Sequence, residues 1–122
     1  MSRHEELAHA VAGIRRSMPE LTGVMIASQD GLPIAHDFPD ADAERVAAMA
    51  ATALGLGQRV TERTDLGDLV ESVFRGDDGY LVVYSTGDQA VLVLSGPTSS
   101  NLGLMRLEAR AASARIKRAM DQ

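Results

Sequence analysis

Residues 80–85, YLVVYS, and 89–95, QAVLVLS, are apolar at nearly every position. A strand with one wet face alternates apolar and polar side chains, whereas a strand without alternation is covered on both sides. Only TGD separates the two runs, so they read as neighbours in one sheet. Such a sheet needs a layer of helix on each face.

The rest of the chain supplies those layers. Leu7, Val11, Ile14 and Met18 draw one apolar stripe on a helix over 4–18, which Pro19 terminates because the residue before a proline avoids the helical region. Two strands follow at 21–29 and 32–37. Asp30-Gly31 between them predicts a type I′ hairpin turn. A long helix over 38–63 takes Asp40 as N-cap, with Asp42 and Glu44 at the positive end of its dipole. Its expected core stripe is Val46, Met49, Ala50, Ala53, Gly57 and Val60. Gly55 and Gly57 each cost a helix roughly 1 kcal/mol against Ala, so they mark close packing or an early end. Residues 68–75, DLVESVFR, alternate as a strand, and Gly76-Asp77-Asp78-Gly79 turns the chain into the two apolar runs. Leu102, Met105, Ala109, Ala112, Ile116 and Met120 stripe a last helix. The expected fold is α/β (α+β): a five-stranded antiparallel sheet in the order α-β-β-α-β-β-β-α. Helix two lies on one face and helices one and three on the other, in a single domain over 1–122.

Composition narrows the function. A net charge of −5 argues against nucleic-acid binding, which needs a cationic surface to displace counterions. Phe38, Phe74, Tyr80 and Tyr84 are too scattered for a base-stacking platform. The absence of cysteine removes disulfides and thiolate metal sites and fits a reducing compartment. The N-terminus has no apolar signal region and no apolar run approaches membrane-spanning length, so a cytoplasmic protein without membrane insertion is expected.

Catalytic patterns are missing. Lys117, the only lysine, lies far from any glycine-rich loop, and GLGQRV sits inside a helix rather than after a strand. His4 and His9 are five apart, off the spacing that puts two metal ligands on one helical face, and His36 reads as a surface residue at a strand end. Asp40/Asp42, Asp65/Asp68 and Asp77/Asp78 serve caps and turns. Arg106, Arg110, Arg115, Lys117 and Arg118 complement the dipole of the last helix on a solvated face. No catalytic residue, metal or cofactor is expected.

Two surface features stand out. The back of helix two carries Ala48, Ala51, Thr52 and Gly55 through its middle, with Arg59 toward one end, where a solvated helix would show Lys and Glu. The strand holding Leu69, Val70, Glu71, Ser72, Val73 and Phe74 follows the long crossover and belongs at a sheet edge, where an unpaired ladder invites strand addition. Pairing with its own copy would give a two-fold dimer, unless Glu71 is the charge that blocks it.

In order along the chain, LTGVMIASQDGLPIAHD, ADAERVAAMAATALGLGQRV, GDDGYLVVYSTGDQAVLVLSG and SSNLGLMRLEARAA resemble the roadblock / dynein light chain family, particularly its small bacterial members, over about residues 8–120. The resemblance implies dimerisation through the third strands, with residues 69–74 as the seam. Helix two, near Ala48, Ala51, Thr52 and Gly55, would then line the dimer face and a docking surface. It also implies a small Ras-like GTPase as partner, whose hydrolysis is altered by reorganising its own site; Arg45 and Arg59 read as surface residues rather than arginine fingers. The expected function is a non-catalytic homodimeric adaptor or regulator of such a GTPase. The alternative is a small-molecule-sensing domain of similar sheet-and-helix shape.

Overall fold

The computed structural model describes residues 1–122. Its elements are α1 (Arg3–Ser17), β1 (Gly23–Ser28), β2 (Pro33–His36), α2 (Asp40–Arg63), β3 (Glu71–Gly76), β4 (Gly79–Ser85), β5 (Ala90–Pro97) and α3 (Leu102–Met120). All neighbouring strands are antiparallel, in the spatial order β2-β1-β5-β4-β3. The doubly apolar runs therefore sit inside the sheet, and β3 is an edge. No helix is long and apolar enough to cross a membrane.

Each face of the sheet has its own core. Leu7, Val11, Ile14 and Met18 of the first helical stripe pack with Met105, Ala109 and Ile116 of α3 against Val24, Ile26, Leu92 and Leu94. The opposite face packs Met25, Val83, Val91 and Val93 under α2. Caps match the ends of the outer helices. Ser2 and Glu5 form a capping box on α1, and Asn101 Oδ1 accepts from Leu104 N–H at 3.0 Å on α3. Arg3 donates to the carbonyls of Ala119 and Met120, satisfying the last turn of α3 from the first turn of α1.

An ionic clip ties α1 to the first hairpin. Arg15 Nε donates to Asp37 Oδ2 at 2.6 Å and its guanidinium also reaches the Leu21 carbonyl, while Val24 N–H donates to Asp37 Oδ1 at 2.7 Å. Burial alone would raise the Asp37 carboxyl; the bonds from Arg15 and Val24 outweigh it and hold that group below its ordinary value.

Several local expectations are corrected. The N-cap of α2 is Pro39, without a side-chain bond, and Asp40 is already helical. The first hairpin does not close in a type I′ turn, which needs positive φ at both central residues. Only Gly31 (φ +93°) adopts it, with Gly31 N–H donating to Ser28 O at 3.1 Å. Loop length sets this geometry: Ser28 N–H donates to Leu32 O at 2.8 Å, so three residues, 29–31, span the hairpin, and such a loop closes as a turn followed by one left-handed residue. The turn also lies against α2, where a Cβ on Gly31 would be 3.4 Å from Ala48 Cα. The strands expected at 21–29, 32–37 and 68–75 are shorter, and Leu69 and Val70 precede β3. His36 is partly buried instead of lying on the surface; its Nδ1 has no partner and its Nε2 is 4.0 Å from Asp40.

The largest correction concerns the rotation of α2. Ala43, Ala47, Ala50 and Leu54 face the sheet, while Met49 and Val60, assigned to the core by the sequence pattern, are exposed. The helix is apolar on most of its circumference, so the stripe with the larger side chains looked like the buried one. The sheet instead selects the alanines, whose short side chains let the helix axis come close. Gly57 serves the same approach: a Cβ there would meet Ser72 Oγ at 2.8 Å and Leu69 at 2.9 Å.

Candidate functional site

The outward turn of those larger residues creates the main surface feature. Between α2 and the β3–β4 edge runs an open groove of about 500 Å³, with Val46, Met49, Ala53 and Leu56 on the helix side and Phe74 and Leu81 on the strand side. Met49, Leu56 and Phe74 are 55%, 54% and 51% exposed. Large apolar side chains left half in water beside one another mark a surface built to be covered. No lining residue is titratable, so the groove offers burial, on the order of 1.5–3 kcal/mol per large side chain, and no acid or base.

The predicted interface residues of helix two divide. Ala48 and Thr52 line this groove. Ala51 is half-buried against the Gly31 turn, so the chain itself occupies part of the smooth helical back. Gly55 is half-buried with nothing within 4 Å of its would-be Cβ, and Arg59 is exposed further along. Arg45 lies 4.0 Å from Asp42 on the first turns of the helix.

The predicted seam residues lie along the sheet edge. Leu69 packs on the α2 core, and Val70 is 71% exposed. Ser72 and Phe74 pair with Val83 and Leu81 and share the α2 face; Glu71 and Val73 pair with Tyr84 and Val82 on the α1/α3 face. Glu71 is not a bare charge guarding the edge. Arg106 of α3 holds it with two parallel bonds of 2.9 Å, and this bond in turn raises the pKa of the guanidinium. Behind the pair lies a smaller crevice of about 190 Å³ beside Tyr84, whose buried hydroxyl has no hydrogen-bond partner. Burial, then the Glu71 charge, pushes this phenol up to about 12. No group of three His, Asp or Glu side chains converges anywhere on the molecule.

Sequence reasoning missed Met49, Leu56 and Val60 as surface residues. Their signal was present: two apolar stripes on one helix, of which a single sheet can bury only one.

The family model of the Roadblock/LC7 domain matches residues 7–95, from α1 to near the end of β5. The chain belongs to the Roadblock/LC7 family. Uncharacterized protein MJ1340 of Methanocaldococcus jannaschii is 34% identical over 98 residues, covering 80% of this chain and 85% of that protein. Among solved structures, a Roadblock/LC7 domain from Streptomyces avermitilis superposes with a TM-score of 0.89 at 21% identity, covering 95% of this chain and 98% of that one. The gliding protein mglB from Thermus thermophilus superposes with a TM-score of 0.85 at 19% identity, covering 98% and 91%. At those identities the two structures speak to the Roadblock/LC7 fold, including α3, which lies beyond the matched residues.

Proposed function

We propose that this Roadblock/LC7 chain is a non-catalytic, homodimeric adaptor or regulator that binds a small Ras-like GTPase and modulates its hydrolysis or localisation. The observation that carries this reading is the apolar groove, free of titratable groups, directly beside an unpaired strand edge. Such a surface can bury a partner but cannot move a proton, so chemistry belongs to what it binds. A GTPase brings its own phosphate-binding loop and magnesium; a platform need only favour one arrangement of its switch segments. The family likeness favours that class of partner.

In this reading Leu69, Val70, Glu71, Ser72, Val73 and Phe74 form the dimer seam. Two copies of α2 come side by side near Ala48, Thr52 and Gly55, with Arg59 at the rim, and the GTPase docks across the joined helices. The sensing alternative is less well supported, because the groove lacks the convergent polar groups that orient a metabolite. The test has two arms. Light scattering on the purified chain gives its mass, expected to be twice 13.0 kDa. Mixing it with a small Ras-like GTPase of the same organism is expected to give a stable complex and a changed rate of GTP hydrolysis or a changed location of the GTPase. A dimer that forms no complex and changes neither would remove the GTPase from the proposal.

A further inference from the structure

We infer the register of the seam: the two copies meet with their two-fold axis through Val73, which sets Glu71 of each copy opposite Arg75 of the other. This rests on the reading of β3 as the dimer seam and adds to it which residues touch.

The backbone limits the choices first. Ser85 N–H donates to Val70 O at 3.1 Å, one step beyond the Glu71–Tyr84 pair of the β3–β4 register, so these two continue that register as a hydrogen-bonded pair. Hydrogen-bonded and non-hydrogen-bonded pairs alternate along an antiparallel ladder. Val70, Ser72, Phe74 and Gly76 therefore turn their N–H and C=O groups toward β4. Glu71, Val73 and Arg75 turn theirs outward to the free edge. A copy added antiparallel about an axis normal to the sheet must pair these outward residues with one another. Directly opposed residues also share a face. The axis then passes through a residue, and Ser72, Val73 and Phe74 are the central candidates. An axis through Ser72 pairs Glu71 with Val73, and one through Phe74 pairs Val73 with Arg75, giving two hydrogen-bonded pairs each within β3. The axis through Val73 gives three: Glu71–Arg75, Val73–Val73 and Arg75–Glu71.

Charge selects the same register. Arg75 makes no ion pair within its own chain; its guanidinium lies 5.9 Å over the ring of Tyr80, on the α1/α3 face. Glu71 lies on that face too, held by Arg106 from one side and with carboxylate lone pairs left to accept from another. Opposite charges directly across an antiparallel pair stabilise it, and the Val73 axis supplies that match twice by symmetry. On the α2 face it sets each Phe74 ring against Ser72 of the other copy, large against small, so that the rings continue the apolar groove without colliding. Val73 itself, 40% exposed in the single chain, is covered by its own copy.

The absence of cysteine makes the test clean. A lone thiol can bridge to its own copy only at the axis, where opposed Cα atoms of a hydrogen-bonded pair lie about 5.5 Å apart. One position away the diagonal is about 7–8 Å, beyond disulfide reach. Ser72→Cys, Val73→Cys and Phe74→Cys are oxidised under identical mild conditions, with the native mass of each variant measured beforehand. Val73→Cys is expected to give covalent dimer in about tenfold excess over the other two, as the reach of a disulfide dictates. A mixture of Glu71→Cys and Arg75→Cys is expected to cross-link where neither does alone. If Ser72→Cys or Phe74→Cys dominates, the Val73 register is overturned while the β3 seam stands. If none cross-links although the protein is dimeric, the seam is elsewhere and the register falls with it. A monomeric protein overturns the dimer reading as well.

Discussion

The two faces of the sheet are finished differently. On the α1/α3 face nineteen buried residues form one cluster, and large side chains such as Leu7, Met18, Leu92, Met105 and Ile116 fill it. On the α2 face the cluster has nine, four of them alanines. The chain does not lack apolar bulk on that side; it carries Met49, Leu56 and Val60 outside the helix instead of beneath it. One face is closed by the chain's own residues. The other holds its helix close with small side chains and leaves the larger ones for something else to cover.

Cavity-forming substitutions test this contrast with the largest effects. Ile116→Ala on the closed face is expected to cost about 3–4 kcal/mol in urea denaturation, because a fully enclosed side chain leaves a void that cannot collapse. Leu54→Ala under α2 is expected to cost about 2 kcal/mol, since the helix borders an open groove and can settle. Equal costs would break the comparison. The closed face also carries a titration signature. Tyr84 ionises with a pKa pushed up to about 12 from an ordinary value of 10. The folded protein keeps this proton while the unfolded chain loses it, so the Tyr84 contribution to stability is fully present below pH 10 and is lost as pH rises toward about 12. Tyrosinate absorbance is expected to show that late step, and Tyr84→Phe to remove it. On the open face, Leu56→Asp is expected to change folding stability by less than about 0.5 kcal/mol while weakening self-association at least about tenfold by sedimentation equilibrium. The smallest effect distinguishes the two helical glycines. Gly55→Ala is expected to raise stability in dilute solution by about 0.5–1 kcal/mol, because nothing stands near its Cβ. Gly57→Ala is expected to gain less, as Ser72 and Leu69 must move aside.

The fold was largely legible because its strongest signals were redundant. Two strands apolar on both faces required helices above and below, and the stripe Leu7, Val11, Ile14 and Met18 agreed with the interior it entered. The rotation of α2 was not legible: hydrophobic periodicity weighs side chains by size, whereas the close approach of helix to sheet selects Ala43, Ala47 and Ala50. The missed turn has a local cause: the strands pair out to Ser28 and Leu32, so the loop holds three residues instead of Asp30-Gly31 alone, a one-residue difference that the Asp-Gly signal does not resolve. The edge position of β3 was readable from its place after the crossover. The Glu71–Arg106 pair was not, because residues so distant in sequence meet only through the topology.

The position of β5 has a consequence for how the molecule forms. It lies between β1 and β4, yet it is the last strand to be synthesised. Until it arrives, the β1–β2 hairpin and β3 have no shared scaffold, and a lone two-stranded ribbon is barely stable in water. Assembly therefore waits on a long-range closure that stitches an early segment to a late one, the kind of step that slows folding. Before that closure the apolar strands β1 and β4 are held open on the sides that β5 will fill, and a nascent chain is most exposed to aggregation in that interval.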